Sequence, residues 1–190
     1  MSSAATKRDR YHHGDLRRAL IAYAIRRIRS GGVEDFSLRE AARTAGVTSG
    51  AVYKHFADKE ALIRAAAAEG FRLFGGRMQR DTAGLSGQEK LTAMGQSYIG
   101  FAEAEPRLFR LMFSKLGMRA LAELSADLAN GLLPQQQFRS AFAEDADLAA
   151  LAWSVVHGAA SLICDGVWKR NDPRAEAAMR KLRQLRRHKR

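Results

Sequence analysis

The 190-residue sequence predicts an all-helical protein, and three observations carry the prediction. No stretch alternates apolar and polar residues for long enough to make a strand, while apolar residues recur at three- and four-residue spacing. Prolines number only three, and Ala and Leu are abundant. Helix-start patterns such as Ser37 with Glu40, and Ser86 with Glu89, stand at the head of periodic segments.

Each element can be justified in turn. Asp15, after Gly14, is an N-cap candidate for a first helix whose Leu16, Leu20, Tyr23, Ala24 and Ile28 share one stripe, with Gly31 and Gly32 as its stop. In FSLREAARTAG, Ser37 and Glu40 form a capping box, and Gly46 fits the left-handed position just past a short second helix. A third helix starts at Thr48 as N-cap and ends near Phe56; Asp58 caps a longer helix to about Arg80. Two short helices around a tight turn at Gly46 and Val47, behind a longer first helix, make a helix-turn-helix unit. Its expected core is Phe36, Leu38, Ala41, Ala42, Ala45, Val47, Val52, Phe56 and Leu62.

The stretch DTAGLSGQEK reads as a turn, with Ser86 and Glu89 as a second capping box, and a helix follows to about Ala104. Pro106 stands where another helix begins. Leu108, Leu111 and Met112 give that helix an apolar face. Residues 118–143 are either two helices or one bent at Gly131 and Pro134. The most hydrophobic helix is expected from Asp145 to Lys169, and a basic helix follows Asn171, Asp172 and Pro173.

Formal net charge is +12, and its placement is uneven. Residues 1–60 hold 12 Lys/Arg against 7 Asp/Glu, residues 61–168 hold 10 against 11, and residues 169–190 hold 10 against 2. A neutral middle between two basic ends points to a polyanionic partner. The single cysteine, Cys164, cannot form an internal disulfide, and no Cys/His cluster has zinc spacing, so neither a metal nor a cofactor is expected. No run of 18 or more apolar residues is evident and the N-terminus is polar, so the expectation is a soluble, cytoplasmic protein without a membrane partner.

The chemistry concentrates in TSGAVYKHFADKEAL, residues 48–62. A recognition helix enters the major groove N-terminus first, which demands small polar residues there, and Thr48, Ser49 and Gly50 meet that demand. Tyr53, Lys54 and His55 then suit phosphate contacts that position the helix without reading sequence. Ahead of the first helix, Arg8 and Arg10 lie in a basic arm, residues 1–12, that either reaches phosphates or a minor groove or stays solvated.

These residues carry a resemblance. YHHGDLRRAL, FSLREAARTAGVTSGAVYKHFADKEAL and the Gly50–Tyr53–His55–Phe56–Lys59 pattern resemble the DNA-binding domain of the TetR family of bacterial transcriptional regulators over residues 10–62. The resemblance implies a helix-turn-helix domain at 13–58 and a helical effector-binding and dimerisation domain with a basic tail at 59–190. It implies that Thr48, Ser49 and Gly50 face bases or nearby phosphates, that Tyr53, Lys54, His55 and Lys59 touch the backbone, and that Ser37 touches a phosphate. Position 49 often carries a longer basic residue in such proteins, and Ser49 here implies thin direct base readout.

WSVVHGAASLICDG, residues 153–166, resembles a subgroup with a Trp…His-Gly pattern. Trp153, His157, Ala160, Cys164 and Trp168 are expected on one helix face, and Ser154, Gly158, Ser161 and Asp165 on a neighbouring stripe. Small residues admit a second helix, so Ser154, Gly158, Ala159, Ser161 and Asp165 are the candidate dimer contact. Phe74, Met78, Tyr98, Phe101, Met112, Trp153 and His157 are candidates for an effector pocket, with His157 either a ligand contact or a satisfied core residue. Ser161, His157 and Asp165 do not make a catalytic set, because residues four apart on one helix rarely surround a substrate. In the tail, Ala175, Ala178, Met179, Leu182 and Leu185 form a narrow apolar stripe through residue 185, and the last five residues read as a basic extension adding nonspecific DNA affinity.

The expectation is therefore not an enzyme but a homodimeric repressor that leaves a palindromic operator when a small-molecule effector binds. The alternative is a DNA-binding protein without an effector, whose basic tail binds another polyanion or protein.

Overall fold

The structure, a computed structural model, describes residues 13–34, 37–124, 133–142 and 145–187. Arg8 and Arg10 of the basic arm, Phe36 and Gly131 lie outside the described residues.

Ten helices run through the described residues: α1 (His13–Gly31), α2 (Leu38–Thr44), α3 (Ser49–Tyr53), α4 (Lys59–Asp81), α5 (Gly87–Ala104), α6 (Pro106–Met112), α7 (Lys115–Glu123), α8 (Pro134–Ala141), α9 (Ala146–Cys164) and α10 (Pro173–Arg187). α1, α2 and α3 form a head, and α4 leads from it into the body, where α5 packs against α4 and α9. One continuous core joins the two parts, from Leu20, Ile28 and Val52 in the head, through Leu62 at the start of α4, to Phe74, Tyr98, Phe109 and Val156 in the body.

Several sequence expectations change here. α1 already includes Asp15, so that residue lies inside the helix and is not its cap. Ala45 and Val47 are half-buried against the head core instead of within it. Ser86 precedes α5 without a side-chain cap bond, so of the two expected boxes only Ser37 caps its helix through the side chain. Of residues 118–143, the described ones form the end of α7 and all of α8.

α9 ends at Cys164, with Asp165 as C-cap and Gly166 at φ +73°, so Trp168 lies beyond it and off the expected face. The Arg174 guanidinium covers the Trp168 ring at 5.1 Å. By length and composition α9, with an 18-residue window at mean hydropathy 1.5, is the one described helix able to cross a membrane. Its apolarity serves the core instead, through Ala149, Ala152, Val156 and Ala160.

Two inter-element clamps hold the head to the body. Arg29 at the end of α1 meets Glu105 at 2.7 Å, and the Arg107 guanidinium donates to the carbonyls of Arg29 and Ser30 at 2.8 Å each. Arg107 thus serves orphan carbonyls at a helix end.

Candidate nucleic-acid interface

The turn between α2 and α3 is built from backbone bonds. The Val47 N–H donates to Ala42 O at 3.0 Å and the Gly46 N–H to Arg43 O at 3.2 Å, with Gly46 at φ +66°. These are the two bonds of a Schellman motif, and the left-handed residue at its centre is where glycine costs least. Ser37 caps α2 by accepting from the Glu40 N–H at 3.2 Å. Glu40 neighbours Tyr23, whose phenol is pushed above its ordinary value by burial and then by that carboxylate.

Thr48 caps α3 by accepting from the Ala51 N–H at 3.3 Å. α3 spans only five residues, ending at Tyr53, with the chain turning on through bonds from His55 and Phe56 to Val52 O. Val52 and Phe56 are buried against Leu38, Ala41 and Ala42, which fixes α3 from behind. The Arg17 guanidinium lies 5.3 Å from the centre of the Phe56 ring.

What this leaves outside is a compact polar face. Ser37, Thr48, Ser49, Gly50 and Lys54 are exposed, and Tyr53 is 54% exposed. An aromatic ring left that open is unusual for a residue able to pack. His55 and Lys59 are half-buried, and Lys59 Nζ donates to Glu34 O at 3.2 Å, tying α4 to the loop ahead of α2. Exposed Arg39 and Arg43 on α2 add positive charge to the head. Neither is among the sequence candidates, although both stand beside the buried positions Leu38, Ala41 and Ala42.

In the body, the candidates for an effector pocket gather as a mostly closed aromatic cluster. Phe74, Met78, Tyr98, Phe101 and Met112 are buried, and Trp153 and His157 are half-buried at its edge. Phe74 stacks on Phe101 at 4.4 Å between ring centres and meets Tyr98 edge-on at 4.8 Å. Tyr98 Oη and His157 Nδ1 share a hydrogen bond at 2.9 Å, and Trp153 stacks on His157 at 5.5 Å. Phe109, Phe113 and Phe138 also join. Phe138 was not among the sequence candidates; it is the one aromatic residue on the otherwise polar α8. Burial lowers the His157 pKa, so the neutral imidazole is favoured, and burial pushes the Tyr98 phenol well above its ordinary value.

The candidate dimer stripe divides. Ser154 and Asp165 are exposed, Gly158 and Ser161 are half-buried, and a Cβ at Gly158 would meet nothing within 4 Å. Leu151 lies on the same side of α9 and is 44% exposed. Ala159 is different: it points to the opposite side of the helix and is buried within this chain, so it is not open to a partner. Asp165 pairs with Arg110 at 3.1 Å, and the same guanidinium donates to Cys164 O, closing the end of α9.

Comparison with known proteins agrees with this architecture. Residues 20–66 match the family described as bacterial regulatory proteins, tetR family, and residues 91–185 match the tetracyclin repressor-like C-terminal domain. Among solved structures, a protein of unknown function from Rhodococcus sp. RHA1 is similar at 27% identity and TM-score 0.72, over 93% of this chain and 97% of that one. A bacterial regulatory protein of the tetR family from Rhodococcus RHA1 shares the fold at 19% identity and TM-score 0.58, over 88% and 96% of the two chains. So does NalD of Pseudomonas aeruginosa, the secondary repressor of the MexAB-OprM multidrug efflux pump, at 18% identity and TM-score 0.57, over 89% and 94%. No curated protein matches the chain in sequence. With its head and its body each matched, the chain belongs to the TetR family, whose members are DNA-binding transcriptional regulators typically controlled by small-molecule effectors.

Proposed function

We propose that this protein is a homodimeric cytoplasmic repressor that binds a palindromic operator through two heads and releases it when a small molecule binds the body. One observation carries the reading: the start of α3 is held rigidly from behind by Val52 and Phe56 while Thr48, Ser49 and Gly50 stand clear of tertiary packing. In this reading Thr48, Ser49 and Gly50 approach base edges, and Tyr53, Lys54, His55 and Ser37 contact phosphates. Lys59 has a nearer task in its bond to Glu34 O and adds charge from the rim. The working division is a head at 13–58 and an effector and dimer body from 59 onward, with Ser154, Gly158, Ser161 and Asp165 at the dimer contact.

The effector acts at the Tyr98–His157 pair and the rings around it, because a ligand that replaces that bond must move α5, α6 or α9. α6 carries Phe109 into the cluster and Arg107 onto the end of α1, so displacement there reaches the head. The ligand must bind the two arrangements unequally for the operator to be released. The protein acts as a binding protein in this reading, because Ser161, Asp165 and His157 sit four residues apart along α9, a spacing that rarely surrounds a substrate.

A second reading has one observation in its favour. Phe74, Tyr98, Phe101 and Phe109 already fill the space between them, at ring separations of 4.4 to 6.3 Å, as expected of a regulator that needs no effector.

Selection of bound duplexes from a random pool, repeated at two salt concentrations, tests the function. The expected result is one palindrome that survives the higher salt, and Lys54→Ala should weaken all sequences about equally while reducing the salt slope by about 1. Uniform recovery with steep salt loss would end the repressor reading. A screen of small molecules against the recovered site then separates the two readings, by whether any compound shifts affinity.

A further inference from the structure

The basic end of α10, residues 180–187, lies far from α3. α4 leaves the head at Lys59 and ends at Asp81; at about 1.5 Å per residue it spans about 33 Å. α5 returns from the far turn toward the head, and Glu105, just past its end, meets Arg29 of α1. α10 begins beside that head-proximal end, where the Asn171 N–H donates to Glu103 at 3.0 Å and Arg170 approaches the same carboxylate at 3.6 Å.

Further back along α5, Gly95 leaves a notch that Met179 fills; a Cβ there would run into the Met179 side chain. These two contacts make α10 antiparallel to α5. Each residue after Met179 therefore moves away from the head, and at the same rise Arg187 comes level with Gly87, the distal start of α5.

Residues 180–190 read RKLRQLRRHKR, with Lys or Arg at seven positions and no acidic residue. Arg180 and Lys181 are exposed, and the one carboxylate on α10, Glu176, reaches Arg180 at 3.4 Å. Screening over about 8 Å at physiological salt isolates this charge from a duplex seated on α3 about 30 Å away. The described part of this helix, residues 180–187, therefore stands away from the duplex that the head occupies.

We propose that the distal end of α10 is a second nucleic-acid surface that grips the phosphate backbone of another DNA segment, so that the protein bridges two duplexes. Residues 180, 183 and 187 follow the i, i+3, i+7 spacing of one helix face and are all arginine, whose planar fork suits phosphate. A lipid surface would need the apolar side of the helix, yet Ala175 is buried and Met179 is seated in the Gly95 notch. An acidic protein partner would call for an exposed aromatic or apolar anchor beside the charges, and the described side chains after Met179 offer none.

This rests on the reading that α3 seats the head on DNA, and the test separates the two. Full-length protein is loaded on a bead-bound duplex carrying the selected palindrome, and capture of a fluorescent duplex of unrelated sequence, about 30 bp, is measured. Wild type should capture it. K181Q/R183Q/R186Q/R187Q should lose roughly tenfold of that capture with less than about a twofold change in affinity for the bead-bound site. R183K/R186K/R187K, which keeps the charge, should retain most of the capture and shows that the helix tolerates substitution.

Parallel loss of affinity for the bead-bound site would place the tail on the head's own duplex and overturn the proposal. So would absence of capture by wild type, capture indifferent to the substitutions, or tail-dependent binding of polyglutamate or anionic vesicles in place of the duplex. If no palindrome is recovered, the head reading fails on its own. Anisotropy of the unrelated duplex with wild type and the quadruple variant then still decides the tail, by whether binding is lost with the charges.

Discussion

The head and the aromatic cluster of the body use similar groups in opposite ways. In the head, Thr48, Ser49, Tyr53 and Lys54 lie outside, and the apolar residues Val52 and Phe56 exist to hold them there. In the body, Tyr98 is fully buried, its hydroxyl bonded to His157, with Phe74, Phe109 and Phe113 packed around the pair. A tyrosine on the surface contributes little to stability and is free to touch a partner, whereas one in the core is bound to the fold's energetics. The difference teaches that the reading surface can vary with small stability cost, while any change at the body's polar pair is felt through packing.

Truncation breaks the comparison most sharply. Phe74→Ala, which empties a fully buried ring position, should cost about 3–5 kcal/mol in urea unfolding, against less than about 0.5 for Tyr53→Ala. Equal costs would mean that Tyr53 packs in a way its exposure does not reveal. Next in size, Gly46→Ala places a Cβ at φ +66° and should cost about 1–2 kcal/mol, seen as a lower midpoint of thermal unfolding.

The smallest expected effect is that of pH, and it sharpens the contrast between the buried histidine and the head. Burial depresses the folded-state pKa of His157 below its ordinary 6.5. The unfolded chain then binds more protons in that window. Stability should be fully present above about pH 6.5 and fall as pH drops through the folded value. Unfolding curves of His157→Gln should lack this part of the slope; an unchanged slope would assign the pH dependence to other groups.

Much of the head is legible from local rules, because its function and its fold depend on neighbours in sequence. The Ser37 and Thr48 caps, the left-handed Gly46 and the buried Leu38, Ala41, Ala42 and Val52 each follow from residue type and spacing within a turn or two. Local rules failed where a distant partner decides. Glu40 completes a capping box on paper, yet its carboxylate lies by Tyr23 of α1. Ala159 shares a sequence neighbourhood with Gly158, but one residue turns the helix by about 100°, which moves it from the open side to the buried side. α9 was expected to continue to Lys169; Gly166 in a left-handed conformation and Arg110 on the Cys164 carbonyl stop it sooner.

Helix content, the cap-and-turn chemistry of the head, the family and the placement of charge at the two ends of the chain are all written in the residue order, since periodicity, caps and charge are local properties. Which charges can act together is not. Only the packing of α10 against α5, set by Met179 in the Gly95 notch and Asn171 on Glu103, carries the basic tail away from the head. Likewise, only folding brings Tyr98 to His157, 59 residues apart, because a hydrogen bond between two helices depends on how they pack and not on either helix alone.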